Sequence, residues 1–160
     1  MVWCLWSKIF PIALFQLSLC NEIDLKNKSQ WWGFNPEEDT SISCLPNALV
    51  LYNPVIDNSP KGFGHGAVHK FWEAFSPMHN ISKSAPPTIF FLGTKDRFIP
   101  LATAEEYRRR MKKNRLRCDL KIYPDEKHSF WMNKKFIETT RDVDMFLVSL
   151  GYLTGQSTVK

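Results

Sequence analysis

Residues 86–100, which read PPTIFFLGTKDRFIP, contain the segment that decides the fold. Residues 88–92 form a short apolar run rich in β-branched and aromatic side chains, with two prolines before it and Gly93 after it. This composition predicts a strand buried on both faces, which is typical of a parallel sheet covered by helices. Asp96 follows the strand, at the end where open α/β sheets place their functional groups.

A second predicted strand, residues 118–123, precedes a histidine. These residues alternate polar and apolar side chains, as an edge strand does, and Pro124 ends the run. Because Asp96 and His128 each follow a predicted strand, we expect both side chains at the same edge of the sheet. Strand, acid, helix, strand and histidine is the closing order of an α/β-hydrolase, whose triad follows the order nucleophile, acid, histidine.

The other segments complete an α/β fold. Residues 48–52 predict a strand that is the parallel neighbour of residues 88–92. We expect loops at 57–66 and 76–85 and a short helix within 68–74. The helix after Asp96 has one apolar face, formed by Leu101, Ala104, Tyr107 and Met111. A last helix runs from about 134 to 150, ends at Gly151, and has an apolar face formed by Phe136, Thr140, Val143, Leu147 and Leu150.

The composition is that of one globular domain. The 160 residues are 44% hydrophobic and 14% aromatic, which argues against disorder. The four cysteines, Cys4, Cys20, Cys44 and Cys118, include no closely spaced pair, so the sequence predicts neither a zinc site nor a redox motif. Whether Cys44 pairs with Cys118 is left open. No cofactor is predicted.

Residues 1–30 are unlike the rest of the chain. Within residues 1–20, Lys8 precedes an apolar run that is too short, and too interrupted by Pro11 and Gln16, for a membrane span. Three interpretations stay open. The run resembles a secretory signal, which would make the protein secreted or periplasmic. It is otherwise an unrelated start, acquired when a longer gene lost its beginning, or a buried helix.

From Gly33 onward the sequence resembles the C-terminal half of bacterial α/β-hydrolases of the acetyl-esterase and feruloyl-esterase-like group. These proteins are related to acetylxylan esterases and to the prolyl-oligopeptidase superfamily. The resemblance covers about three quarters of the chain and assigns 31–153 to the half domain and 154–160 to a tail. The motifs that carry it are GFNP (33–36), PNALVLYNPV (46–55), SPMHNI (76–81), APPTI (85–89), LGTKD (92–96) and FLVSLG (146–151).

The resemblance implies a partial α/β-hydrolase fold, the C-terminal part of a doubly wound, mostly parallel sheet, and a serine carboxylic-ester hydrolase. Asp96 would be the triad acid and His128 the base. The substrate would be a small ester or an acylated carbohydrate. One position departs from the family pattern, which has glycine after the histidine where this chain has Ser129. Serine fits there unless the backbone requires a positive φ.

The sequence contains no nucleophile in the expected motif. None of its glycines, at 33, 62, 64, 66, 93, 151 and 155, frames a serine as Gly-x-Ser-x-Gly, and the His-Gly-Gly stretch for an oxyanion hole is absent. We therefore expect a hydrolase that lacks its N-terminal half and is inactive alone. The alternative is a non-catalytic remnant or interaction module. The strand at 48–52 would have an open edge, covered by residues 1–20 as a helix or by a complementing chain.

Three other features suggest weaker alternatives. The basic segment 105–117 would suit phosphate binding, but its apolar face indicates a solvated helix, so no nucleic-acid partner is predicted. His65 and His69 would suit a metal only on a helix and with a third ligand, which is not evident. Asn27 and Asn80 match the glycan acceptor pattern. The alternatives to a catalytic role are also simple. Asp96 would be only a turn or helix-cap residue, and His128 would be only a solvated side chain.

Overall fold

The computed structural model describes residues 12–14 (as backbone), 46–132, 135–157 and 159. Four parallel strands form one sheet in the order β1-β2-β3-β4. Their bounds are β1 Ile12–Leu14, β2 Ala48–Tyr52, β3 Thr88–Gly93 and β4 Cys118–Tyr123. The helices are α1 His65–Val68, α2 Trp72–Phe75, α3 Leu101–Lys113 and α4 Phe136–Ser149, and 3-10 turns lie at Pro77–His79 and Phe130–Met132.

Every residue of β3 is buried, as its composition predicts. Successive side chains of a strand point to opposite faces, so β3 contributes to two cores. On one face, Phe90 and Leu92 pack in a cluster with Tyr107 and Met111 of α3. On the other, Ile89 and Phe91 belong to a cluster with Phe146 and Leu147 of α4. The parallel α/β architecture predicted from the sequence is therefore confirmed.

Two helix predictions differ from the structure. The helix predicted within 68–74 is instead two single turns, α1 and α2, and α1 begins inside the predicted loop. Gly66 lies in α1 and disfavours a longer helix. In α4 the buried residues are Thr139, Phe146 and Leu147, whereas Phe136 is 52% exposed. Phe136 is the first residue of α4 and lies at its exposed end. The predicted face is right at Leu147, which is buried, and at Val143 and Leu150, which pack against the same core.

The C-terminal end of α4 follows the prediction in detail. Gly151 has φ of 79°, its N–H donates to the Val148 carbonyl, and the Tyr152 N–H donates to the Leu147 carbonyl. These two bonds form the Schellman motif that a glycine favours at a helix end. Beyond it, Ser157 donates to Asp144, and the Arg141 guanidinium donates to the Val159 carbonyl. These residues of the predicted tail therefore contact α4.

The edge of β2 is partly covered by the chain itself. Ile12–Leu14 forms β1 and pairs in parallel with β2, with Ile12 opposite Ala48 and Leu14 opposite Val50. A helix formed by residues 1–20 was one of the two alternatives for covering this edge, and the segment is instead a strand, which pairs with the N–H and C=O groups along the edge. No helix in the described ranges is long and apolar enough to cross a membrane.

Candidate active site

Asp96 and His128 lie together at one edge of the sheet, as predicted. Asp96 follows β3 and His128 follows β4. The His128 Nδ1 atom lies 2.9 Å from Asp96 Oδ2. A carboxylate at this position accepts the Nδ1 proton of a neutral imidazole and leaves Nε2 as the proton acceptor.

The two loops that carry these side chains are tied together by backbone contacts. The Thr94 N–H donates to the Tyr123 carbonyl at 3.0 Å, and the Lys95 N–H donates to the Glu126 carbonyl at 2.8 Å. A Cβ atom on Gly93 would lie 2.3 Å from the Glu126 carbonyl oxygen. Only glycine permits this close approach. The approach fixes the loop after β4 against the loop after β3.

The Asp96 carboxylate accepts four hydrogen bonds. Oδ1 accepts from the N–H groups of Phe98 and Ile99, at 2.8 and 3.1 Å. Oδ2 accepts from His128 and from the Asn53 side-chain amide, the latter at 2.7 Å. Burial acts to raise the pKa of Asp96, but the bonds from Phe98, His128, Ile99 and Asn53 together lower it. The carboxylate is therefore ionised at neutral pH and fully enclosed, with 0% of its side chain exposed.

Asn53 is a site residue that the sequence analysis missed. In the sequence, Asn53 and Pro54 after β2 indicate only the end of a strand. Nothing in that pattern predicts the contact between Asn53 and Asp96. The residue is 4% exposed and has φ of 46°, in the left-handed region that asparagine tolerates. The signal that would have found it is a polar residue directly after a buried strand, the same pattern that identified Asp96.

His128 is held less tightly than Asp96. Its side chain is 38% exposed, and its ring packs edge-on against Phe98 with centroids 4.9 Å apart. Nε2 has no hydrogen-bond partner in the part of the chain that the structure describes. Ser129 has φ of 62°. The backbone therefore adopts the conformation that glycine favours there, and serine fits this position only with strain.

The weaker candidates have other partners. His65 Nδ1 contacts the Asn58 carbonyl and His69 Nδ1 contacts the Gly66 carbonyl. Within the described ranges no three His, Cys, Asp or Glu residues form a group able to hold a metal ion. In the basic helix α3, Glu106 binds both Arg109 and Arg110. Cys118 is a buried free thiol whose pKa burial raises to about 12, whereas Cys44 and Asn27 lie outside the described residues.

Several similar solved structures are forms of one bacterial esterase. Apo esterase 2 of Thermogutta terrifontis is 34% identical, with a TM-score of 0.69, over 76% of this chain and 49% of that one. The same esterase phosphorylated by paraoxon is 35% identical, with a TM-score of 0.66, over 76% and 47%. Its propionate-bound form is 32% identical, with a TM-score of 0.68, over 78% and 50%. The chain thus spans about half the length of these esterases.

Comparison with known sequences finds one partial relative and one matching family. The Acylamino-acid-releasing enzyme of Arabidopsis thaliana is 36% identical over 53 residues, which are 33% of this chain and 7% of that protein. A sequence model of the Dienelactone hydrolase family matches residues 58–144, more than half of the 160 residues. The match includes the strand, acid, helix, strand and histidine described above. The chain therefore belongs to the dienelactone hydrolase family and has the α/β-hydrolase fold.

Proposed function

We propose that this chain supplies the acid and the base of a serine carboxylic-ester hydrolase. His128 takes the proton of a serine hydroxyl through Nε2 and later returns it to the leaving alcohol. Asp96 holds the imidazole with its proton on Nδ1 and stabilises the imidazolium. One observation carries the proposal. A buried carboxylate that accepts four hydrogen bonds binds Nδ1 of a histidine whose side chain is 38% exposed and whose Nε2 has no hydrogen-bond partner among the described residues.

The nucleophile belongs to another part of the enzyme. The sequence holds no Gly-x-Ser-x-Gly and no His-Gly-Gly stretch. An enzyme that loses a triad member keeps roughly 10³–10⁴-fold catalysis only through its oxyanion hole and its binding site. Since the His-Gly-Gly stretch that would form the oxyanion hole is absent as well, we propose that the chain alone is inactive. A nucleophile-bearing half beside β2 would complete the site.

The substrate we propose is an ester with a short acyl group. The Thermogutta terrifontis esterase has propionate bound in one solved form and butyrate in another. Its phosphorylation by paraoxon is typical of an activated nucleophile. The resemblance to acetyl and feruloyl esterases extends the proposed class to acylated carbohydrates.

The test is a hybrid enzyme. Residues 46–160 replace the corresponding half of Thermogutta terrifontis esterase 2, and p-nitrophenyl butyrate hydrolysis is measured beside the unmodified esterase. We expect labelling by paraoxon, and turnover well above the roughly 10³–10⁴-fold acceleration over water that an oxyanion hole and a binding site supply without a complete triad. Asp96→Asn and His128→Ala should reduce the turnover of the hybrid to that residual level, and the 160-residue chain alone should stay at background. A hybrid that melts cooperatively yet turns over no faster than these two variants would contradict the proposal.

One observation favours a second candidate, a non-catalytic module. β1 lies beside β2, where the resemblance places the strand that leads into the nucleophile. A chain that fills this position itself leaves no room for a nucleophile-bearing half. The discriminating experiment mixes the intact chain with the N-terminal half of the esterase. Stable association with restored turnover favours the enzyme, and no association favours the module.

A further inference from the structure

We propose that Asn53 is a positioning residue of this site, which holds the Asp96 carboxylate in the orientation that His128 requires. The inference rests on the proposed function and adds a residue that the family match, at 58–144, does not include. It concerns how the acid is kept in place. Asn53 does not touch the reacting atoms.

The geometry gives Asn53 a specific task. Oδ1 of Asp96 is fixed by the two N–H groups of its own loop. Oδ2 is the oxygen that binds His128, and within the described residues its other donor is Asn53 Nδ2 at 2.7 Å. The amide therefore sets the second oxygen independently of the histidine. When His128 moves during catalysis, Asn53 keeps Oδ2 in place.

The backbone of Asn53 is itself rigidly placed. Its N–H donates to the Phe91 carbonyl at 2.9 Å, which extends the pairing of β2 with β3 by one residue. Asp96 leaves the same strand β3. The donor and the carboxylate are thus anchored to neighbouring strands, and rigid elements position side chains more accurately than loops do.

Asn53 is costly to the fold, which argues that it does more than end a strand. Its φ of 46° lies in the left-handed region, which asparagine adopts less readily than glycine does. Its Oδ1 is buried and has no hydrogen-bond partner in the described part of the chain. The amide cannot turn to relieve this, because Oδ1 would then face the Asp96 carboxylate and two acceptors would repel each other. What the side chain supplies in return is the bond to Asp96.

The chemistry selects asparagine over similar residues. An ionised aspartate at position 53 has the same shape but cannot donate a hydrogen bond, and it would repel Asp96. Glycine would suit the positive φ better and would remove the unpartnered oxygen, but it offers no donor. Hydrogen bonds to an ionised carboxylate lower its pKa, so removal of the Asn53 bond should move the pKa of Asp96 upward.

The first test needs no catalytic activity. The pKa of Asp96 is measured by NMR of side-chain ¹³C carboxyl groups in the intact 160-residue chain and in Asn53→Gly and Asn53→Asp. We expect the pKa to rise in Asn53→Gly and to rise further in Asn53→Asp. Arg115→Gly is the matched control, because Arg115 is exposed and has φ of 61° far from the site. It should leave the Asp96 titration unchanged.

Two further measurements separate a positioning role from a structural one. Asn53→Gly should leave the thermal midpoint nearly unchanged, because relief of the positive φ and removal of the unpartnered oxygen offset the lost bond to Asp96. In the hybrid esterase, kcat should fall roughly 10- to 100-fold in both Asn53 variants while KM stays within about two-fold. An Asp96 titration that is unchanged in both variants, or an unchanged kcat, would overturn the inference.

The outcomes distinguish this inference from the proposed function. A folded but inactive hybrid with wild-type Asn53 contradicts the proposed function, and the titration of the intact chain still decides whether Asn53 holds Asp96. An active hybrid whose Asn53 variants keep the wild-type kcat contradicts the inference alone.

Discussion

The acid loop (residues 94–100, after β3) and the histidine loop (residues 124–129, after β4) meet at one edge of the sheet, yet they hold their side chains in opposite ways. The acid loop encloses Asp96 completely and gives it two N–H donors from its own backbone. The histidine loop leaves His128 38% exposed and contains two residues of positive φ, Asp125 at 60° and Ser129 at 62°. No residue of the acid loop is among the described residues of positive φ.

This difference matches the two tasks. An acid that only orients and stabilises an imidazole benefits from a fixed position and from exclusion of water, which strengthens its hydrogen bonds. A base must reach the nucleophile and then the leaving group, so its outer nitrogen has to face an open edge. The dynamic part of the site would accordingly be the histidine loop, and the following predictions test that assignment.

The largest effect should come from the point where the loops join. Gly93→Ala would place a Cβ atom 2.3 Å from the Glu126 carbonyl oxygen, so one backbone has to move. Forced shifts in a packed region cost about 1–3 kcal/mol. We expect a loss near the upper limit in the free energy of unfolding, measured by urea titration. We also expect the His128 resonances to shift, because the histidine loop loses its support.

Gly66→Ala is the matched control. A Cβ atom on Gly66 meets nothing within 4 Å, and its φ is not positive. Alanine is the better helix former, so this change in α1 should raise stability by about 0.5–1 kcal/mol. Equal losses in both variants would show that Gly93 is not needed for close approach.

Asp96→Asn should have the next largest effect, and the effect should depend on pH. The lowered pKa means that ionised Asp96 stabilises the fold. This contribution is fully present above the ordinary aspartate pKa of 3.8 and is lost as pH falls through the lower folded pKa. We expect a loss of about 1–3 kcal/mol at pH 7 that shrinks in acid. Urea titrations at pH 7 and in acid measure it.

Asp125→Asn tests whether the loss of a nearby aspartate would lower the free energy of unfolding as much as Asp96→Asn does. Asp125 pairs with Lys95 at 2.9 Å, but their side chains are 80% and 61% exposed. Exposed ion pairs contribute about 0–1 kcal/mol. The loss should therefore be small. If the loss of unfolding free energy in Asp96→Asn did not depend on pH, or if Asp125→Asn lost as much, ionised Asp96 would not be a specific stabiliser of this site.

Phe98→Ala should have a smaller effect, centred on the contact between the loops. Phe98 is 42% exposed and packs edge-on against both His128 and Phe63, with centroids 4.9 and 5.1 Å apart. Aromatic pairs of this kind contribute about 0.5–1.5 kcal/mol. We expect a loss of about 1 kcal/mol and altered chemical shifts for the His128 ring protons.

Phe71→Ala is the corresponding control outside the site. Phe71 is 46% exposed and packs against Phe75 with centroids 5.1 Å apart. It should cost similar stability and leave the His128 resonances in place. Unchanged His128 shifts in Phe98→Ala would mean that Phe98 does not orient the histidine.

The sequence predicts the framework of this molecule better than its details, for physical reasons. A buried strand such as β3 is recognised from its composition, and the meeting of Asp96 and His128 follows from the rule that parallel strands end at one edge of the sheet. Asn53 was missed because its contact with Asp96 is long-range, and a turn residue after a strand has a simpler local explanation. Phe136 was wrongly placed on the buried face of α4 because periodicity does not fix where a helix begins, and Phe136 is its first residue.

Ser129 shows the same limit, and it gives the smallest expected effect. Because the family pattern has glycine at this position, the sequence suggests that φ could be positive at Ser129. Only the structure shows that it is, with φ of 62°. A residue with a Cβ atom loses about 1–2 kcal/mol of folding free energy in this conformation. Glycine avoids that loss, but part of the gain is offset because glycine has more conformational freedom in the unfolded chain. Ser129→Gly should therefore raise the free energy of unfolding by about 0.5 kcal/mol.

Ser129→Ala separates the backbone from the hydroxyl. Both variants lose the hydroxyl group, but only glycine relieves the strain, so alanine should give no gain in the same urea titration. If alanine stabilises as much as glycine, the strain assigned to the histidine loop is wrong, and the contrast with the acid loop rests on exposure alone. If only glycine stabilises, the loop carrying the base stores strain that the loop carrying the acid lacks. The chain would then place its strained backbone beside the residue that we propose transfers the proton.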